Sequence, residues 1–250
     1  MVVDAEGAGG RTRSLGDSLL ASVGMGRFRP VGSWQQALAS TPGGYSTTRR
    51  PSGEWQAPDR RFASETEVHI LACLSKLGVP ETLQVLDLGG AFGQLARTVA
   101  WAWPHTEIDW TVWELPEVVA AAADLAGTHG NLTLSYTDRA PDRSVDLAIA
   151  SGVLQYLPEG LARLPLLASV ARWIFIDRLP LWPIGEDRLA VQHESVLGSA
   201  LYPVWFLAEN QAEVVIRSVG TIELRWWHRQ DAAFFAGFRR HYQGLLIDVR

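Results

Sequence analysis

The chain has 250 residues, 47% apolar and 20% charged, with a formal net charge of −5 and a pI of about 5.7. That suits one α/β domain with an accessory segment, and the acidic balance argues against nucleic acid as a partner, because such surfaces concentrate positive charge. A single cysteine, Cys73, excludes an intramolecular disulfide and the cysteine clusters of structural metal sites, while the absence of a signal stretch or a run of about 18 apolar residues points away from the membrane and towards a cytoplasmic location.

Residues 1–13 are Gly-rich and aperiodic and read as a tail. Residues 14–62 read as an N-terminal cap: a short helical pattern, then Gly, Pro, Ser and Arg around Trp34, Tyr45 and Trp55, aromatics suited to anchoring the segment or lining a substrate mouth. Residues 63–250 form the main domain, which opens with the capping box Ser64-Glu65-Thr66-Glu67. The helix continues through Val68, Leu71, Ala72 and Leu74, carries Cys73 on its apolar side, and ends at Gly78 and Pro80. Apolar strand-like runs follow at 83–88, 108–113, 132–136, 145–150 and 173–177, alternating with helical patterns at 93–103, 116–126 and 158–171. Such alternation predicts a parallel sheet with helices on both faces. The end differs: 205–219 reads as helix, and Thr221–Trp227 and Leu245–Val249 read as strands that fit an antiparallel edge pair.

The most informative stretch is Gln84 to Gly93, in which a buried strand ends in Asp87 and runs into Gly89, Gly90 and Gly93 ahead of a helix. Glycines allow tight turns and close ligand approach, and the helix start presents free N–H groups. An acid directly before this turn sits poorly beside a pyrophosphate but balances a cationic nucleoside cofactor such as S-adenosylmethionine. Glu114 ends the next strand and should emerge at the same sheet edge, where two acceptors suit a ribose diol. Glu114 would equally suit NAD, so it supports a nucleoside cofactor without choosing one. Asp138, after the third strand, is placed to meet the adenine amino group, with Asp142 and Asp146 as competitors. Ser151, Gly152, Gln155 and Tyr156 follow the fourth strand, where they should border the reacting methyl.

Together these residues resemble the class I S-adenosylmethionine-dependent methyltransferases, and more narrowly a methyltransferase family of bacterial polysaccharide and natural-product gene clusters. The matching features run from Ser33-Trp34-Gln35-Gln36-Ala37 and Gly44-Tyr45 through the glycine loop to Trp113-Glu114-Leu115-Pro116 and Ser151-Gly152-Val153-Leu154-Gln155-Tyr156-Leu157. They continue with Ile176-Asp177-Arg178, Val191-Gln192 and Tyr202-Pro203-Val204-Trp205. Ala91 departs from the pattern at a place where such loops commonly carry another glycine, and Val191 to Glu194 matches only in part. The resemblance implies a Rossmann-like, mostly parallel seven-stranded sheet with an antiparallel edge strand. It also implies S-adenosylmethionine as cofactor, held by Asp87, Gly89, Gly90, Gly93, Glu114, Leu115, Asp138, Ser151, Gly152 and Gln155.

In that architecture a small-molecule acceptor sits above the carboxyl edge of the sheet, under the cap and an insertion at 177–205. His193 has a suitable intrinsic pKa for a general base, with Asp177 or Glu194 to orient it and Tyr156 close by. Arg178, Gln192, Tyr202 and Trp205 are the expected acceptor contacts; Arg178 alternatively stiffens the lid by pairing with Asp177 or Asp187. Most tryptophans fall on predicted elements and read as core, whereas Trp182 and Trp205 stand out as stacking platforms. No metal is expected. Two rival readings are an NAD-dependent oxidoreductase, which shares the sheet but not Asp87, and a non-catalytic methyltransferase-like module serving a partner protein. The sequence carries no signal for oligomeric state.

Overall fold

The computed structural model describes residues 27–41, 64–140, 142–194 and 200–249. The tail, most of the cap and its aromatics Tyr45 and Trp55 lie outside the described residues. In chain order the elements are β1 (Phe28–Val31), α1 (Trp34–Ala39), α2 (Glu65–Leu77), β2 (Thr82–Leu88), α3 (Gln94–Ala102), β3 (Glu107–Trp113), α4 (Pro116–Ala121), β4 (Gly127–His129) and β5 (Leu132–Thr137). They continue with β6 (Val145–Ser151), α5 (Leu164–Val170), β7 (Ala171–Leu179), β8 (Leu181–Trp182), β9 (Arg188–Glu194), β10 (Ala200–Ala208), α6 (Glu209–Val219), β11 (Thr221–Phe235) and β12 (Phe238–Asp248).

The main sheet has the order β11-β12-β7-β6-β2-β3-β5-β4. β7, β6, β2, β3 and β5 are mutually parallel, and β12 runs antiparallel between β7 and β11. Two details differ from expectation. The short β4 folds back antiparallel on β5 as an eighth, edge strand, and at the other end the antiparallel β12 lies one place inside the edge, paired with β11.

Strand alternation divides the core in two. Leu86, Ala148, Ile174, Ile176 and Leu245 pack against Leu164 and Leu167 of α5 and Ala212 and Ile216 of α6. Val85, Trp110, Ile149, Phe175 and Leu246 pack against Ile70, Cys73 and Leu74 of α2 and Ala96 and Val99 of α3. Burial of both faces explains why β2 and β6 read as nearly continuous apolar runs. Burial pushes the Cys73 thiol up to about 12, with Asp177 adding to the effect, so it behaves as core.

The capping box forms as expected: Ser64 Oγ accepts from the Glu67 N–H, and Glu67 Oε2 accepts from the Ser64 N–H at 2.6 Å. Burial raises the Glu67 pKa, but hydrogen bonds from Thr98 Oγ1 and the Ser64 backbone outweigh it and hold Glu67 below the usual carboxylate range.

The insertion at 177–205, joined by β1 of the N-terminal segment and continuing through β10, forms a second sheet, β1-β9-β10-β8. Residues 205–208, expected as the start of a helix, instead end β10, and α6 begins at Glu209. A short apolar run is ambiguous between helix and strand. Here pairing of Val204 with Ala190 and Trp205 with Leu189, and stacking of Phe206 on Phe235 at 3.9 Å, decide for strand.

The β11–β12 hairpin is much longer than expected and reaches past the main sheet to this second one. Ala233, Phe235 and Tyr242 join Trp182, Ala190, Val204 and Phe206 in one apolar cluster. Its two-residue turn, Ala236-Gly237, has φ of 49° and 84°, the both-positive pattern of hairpin turns that match strand twist. Among the described residues, no helix is long and apolar enough to cross a membrane.

Candidate active site

The parallel order reverses at β2, which has β3 on one side and β6 on the other, and a crevice at the carboxyl ends of such a switch point is where open α/β sheets take ligands. A cleft of about 490 Å³ opens there, lined by Ser64–Glu67 of α2 and its cap, by Asp87, Gly89, Gly90 and Ala91, by Gln94 and Leu95 of α3, and by Ser151, Arg178, His228 and Asp231.

Asp87 continues the row of Val85, so it points to the α2–α3 face, and it is only 1% exposed. Trp110 Nε1 donates to its Oδ2 at 3.2 Å. Burial raises the Asp87 pKa to about 7 against that one hydrogen bond, and the Glu114 charge adds to the rise. The carboxylate lies flat against the loop: a Cβ on Gly90 would come within 2.3 Å of Asp87 Oδ2. Next to it Ala91 is held at φ 48°, a left-handed conformation costing a residue with a Cβ about 1–2 kcal/mol. This accounts for glycine being usual at that place. Ala91 N–H donates to Glu114 Oε1 at 3.1 Å, and Leu115 N–H donates to Oε2 at 2.9 Å, so Glu114 is fixed across the loop. Gly93, at φ 73°, caps the N-terminus of α3.

The second half of the cleft wall starts at a β-bulge. Opposite β12, β7 has one extra residue between Ile176 and Leu179, and Asp177-Arg178 sits there with Arg178 at φ 60°. Bulges re-aim side chains beside active sites. Asp177, 1% exposed, accepts from Thr66 Oγ1 at 2.7 Å through Oδ2 and from Trp226 Nε1 at 2.8 Å through Oδ1. Trp226 reaches it by lying against Gly244, where a Cβ would come within 2.1 Å of the indole nitrogen. Two imidazoles flank the same carboxylate: His69 Nδ1 is 3.5 Å from Oδ1 and His228 Nε2 is 3.5 Å from Oδ2. His228 is 4% exposed, and its Nδ1 faces Glu65 Oε2 and Asp231 Oδ2, both at 3.4 Å. Burial lowers the His69 pKa, outweighing the nearby Asp177 and Glu65 charges.

Arg178 Nε donates to Asp231 Oδ2 at 2.5 Å. Burial lowers the Arg178 pKa, but Asp231 more than offsets it and the balance is upward. Its ion-pair partner is therefore Asp231. Asp187 instead accepts from the Ala208 N–H.

Asp87, Gly89, Gly90, Ser151 and Arg178 thus share the cleft, with Asp177 directly behind His228. Gly93 and Glu114 adjoin the loop, and Leu115 follows Glu114, 44% exposed. Gly152 N–H donates to Asp177 O, and Gln155 Nε2 donates to Arg178 O. Asp138 is exposed beside Arg139 and outside the lining. His193 lies on β9 of the second sheet, where its backbone N–H donates to Arg27 O, and it does not line the cleft. Tyr156 donates to Gln192 Oε1 at 3.0 Å and meets Tyr202 edge to face. Burial raises the Tyr156 pKa.

Neither exceptional tryptophan is an open platform. Trp182 is fully buried with Nε1 donating to Phe235 O, and Trp205 stacks on Trp34 and donates to Leu157 O. Trp34 accordingly anchors its segment. His69 of α2 and His228 and Asp231 of β11 escape the sequence reading, because the two elements are remote in the chain and only the fold brings them together. Glu65 was legible only as part of a capping box.

No family model matches the chain. Trans-aconitate 2-methyltransferase of Mycobacterium tuberculosis (strain ATCC 25177 / H37Ra) is 33% identical over 88 residues, so the match spans 34% of this chain and 32% of that enzyme. Among solved structures, the glycopeptide N-methyltransferase MtfA, complexed with S-adenosyl-L-methionine, superposes with a TM-score of 0.50 at 14% identity, covering 75% of this chain and 95% of that one. This chain has the class I methyltransferase fold. Magnesium protoporphyrin IX methyltransferase from Synechocystis PCC 6803, solved with bound S-adenosylhomocysteine, gives a TM-score of 0.47 at 18% identity over 72% of this chain and 81% of that one. In the class I methyltransferase fold of this chain, the glycine loop and the bulge at Asp177 face each other across the switch point.

Proposed function

We propose that the protein is an S-adenosylmethionine-dependent methyltransferase acting on a small-molecule acceptor, with O-methylation of a natural-product intermediate or sugar favoured. The observation that carries this reading is Asp87: a carboxyl group, raised to about 7, is buried against Gly90 at the switch point and opens onto the cleft. Burying an acid with a single hydrogen bond is costly, and a cationic ligand offsets that cost, whereas a pyrophosphate would aggravate it. Asp87 takes the ammonium end of the cofactor, Glu114 the ribose, and Gly89, Gly90 and Gly93 allow its close approach; Ser151 borders the rest, with Leu115, Gly152 and Gln155 adjoining, whereas Asp138 lies outside the cleft.

Methyl transfer is an in-line displacement. The acceptor oxygen attacks the methyl carbon, the C–S bond breaks, and its electron pair stays on sulfur. Alignment and exclusion of water supply much of the acceleration. Arg178 lines the cleft on the acceptor side, whereas Gln192, Tyr202 and Trp205, expected beside it, sit in the second sheet outside the lining, with Tyr156 hydrogen-bonded to Gln192. His193 is the base suggested by sequence, but it does not line the cleft. The net charge of −5 supports a small molecule over nucleic acid, and a cytoplasmic setting fits the single buried thiol.

Calorimetric titration with S-adenosylmethionine and S-adenosylhomocysteine tests the reading. The expected result is micromolar binding that Asp87→Ala and Glu114→Ala both weaken. A folded wild type that binds neither compound overturns it and leaves the partner-module reading.

A further inference from the structure

We propose that His69 Nδ1, Asp177 and His228 Nε2 form a binding site for one first-row divalent cation of the zinc type, at the foot of the cleft wall. The three groups come from α2, β7 and β11, and their ligand atoms lie within 4.8 Å of one another. Each imidazole nitrogen is 3.5 Å from the nearer carboxylate oxygen. Ligands about 2.1 Å from a common centre stand about 3.4 Å apart around a tetrahedron and at most about 4.2 Å apart. The two 3.5 Å pairs already match the tetrahedral spacing, and the widest pair has to close by up to about 1.4 Å.

The surroundings match what holds a metal. Thr66 Oγ1 and Trp226 Nε1 each donate to one oxygen of Asp177 and fix its orientation. With Nε2 of His228 turned to the centre, Nδ1 lies 3.4 Å from Glu65 Oε2 and from Asp231 Oδ2, close to carboxylates of the kind that orient metal-bound imidazoles once hydrogen-bonded. His69 Nδ1 has no hydrogen-bond partner among the described residues, whereas His228 Nε2 lies 3.3 Å from Thr66 Oγ1, a contact the cation would replace. Three carboxylates, Asp177, Glu65 and Asp231, thus surround His228. Two imidazoles select a borderline transition metal over magnesium or calcium.

A role for the cation rests on the methyltransferase reading; the site itself does not. His228 lines the cleft, so an acceptor hydroxyl entering there would bind the cation as a Lewis base. Its pKa would fall, its proton would pass to water, and its oxygen would then displace the methyl group from sulfur.

The metal-stripped, untagged full chain is titrated with cobalt(II) alone and followed by its visible absorption. One equivalent should bind with the intense bands of a low-coordinate site, and zinc should displace it. His69→Ala and His228→Ala should each weaken binding by at least about 10- to 100-fold, with circular dichroism confirming the fold. Because either variant risks misfolding, the wild type supplies a second reading: zinc should shift the imidazole resonances of His69 and His228 and leave those of His193 in place. Absence of stoichiometric cobalt binding, or zinc binding that leaves His69 and His228 unmoved, overturns the proposal. S-adenosylhomocysteine is titrated into the same sample. Binding of it without cobalt uptake overturns the metal site alone, whereas cobalt uptake without it overturns the methyltransferase reading alone.

Discussion

Asp87 and Asp177 end strands of the same sheet, face the same helices and are equally buried, yet their surroundings are opposite. Among the described residues, Asp87 has Trp110 as its one side-chain donor, and it rests against the glycine loop. Asp177 has a hydroxyl, an indole N–H and two imidazoles around it. A buried carboxylate supplied with protein donors is already satisfied, whereas one left short holds its proton until a cation arrives. The difference separates a position that waits for a cofactor from one the protein has built around, and the cleft lies between the two.

The largest effect should come from closing the Asp87 side. Gly90→Ala places a methyl group where the carboxylate lies, so S-adenosylmethionine affinity should fall about a hundredfold or more, the equivalent of about 3 kcal/mol. Calorimetric affinity within threefold of wild type would mean that Asp87 does not need this contact.

Asp87→Asn should sharpen the contrast, because it trades affinity for stability. The pKa of Asp87 is raised from 3.8 to about 7 by folding, so the folded chain keeps a proton that the unfolded chain releases. That contribution favours folding fully below the ordinary carboxylate range and is lost as the pH rises towards 7. Each tenfold change in proton affinity is worth about 1.4 kcal/mol. Without ligand, the asparagine variant should exceed wild type by about 2–4 kcal/mol near pH 8 and by little near pH 4, as urea midpoints would show. Cofactor affinity of the wild type should run the other way, rising about tenfold per pH unit up to about 7 and then levelling. A variant no more stable than wild type at the higher pH would break the account of Asp87 as an unsatisfied acid.

The smallest change is expected on the Asp177 side. Trp226→Phe keeps most of the ring against Gly244 and removes the indole donor to Oδ1, which should cost about 1–3 kcal/mol, read from the same urea midpoints. Because Thr66 and the imidazoles remain, the fold should survive. A cost below about 0.5 kcal/mol would show that Asp177 is held well enough without it.

How much was legible follows the same division. The glycine loop, Asp87, Glu114 and the capping box could be read because each depends on neighbours in sequence: a strand that ends, a turn without room for side chains, a hydroxyl and a carboxylate three residues apart. Ala91 was legible as a departure, and its φ of 48° shows what the missing glycine would have relieved. The acceptor side was read less well. His193 drew attention by lying in the insertion, and Trp182 by falling outside the predicted elements, but β9 pairs His193 with Leu201 in the second sheet and the long hairpin covers Trp182.

The sequence by itself determined the α/β alternation, the order of the parallel strands' building blocks and the chemistry of the loop after β2, because strand periodicity, helix capping and glycine sterics act over a few residues. Only the tertiary structure decided that β10 is a strand through Ala208, that β12 enters between β7 and β11, and that His69, Asp177 and His228 meet. Those outcomes depend on register, on a one-residue bulge at Asp177-Arg178 and on the packing of Trp226 over Gly244. Such contacts join segments remote in the chain, and no local pattern of residues encodes them.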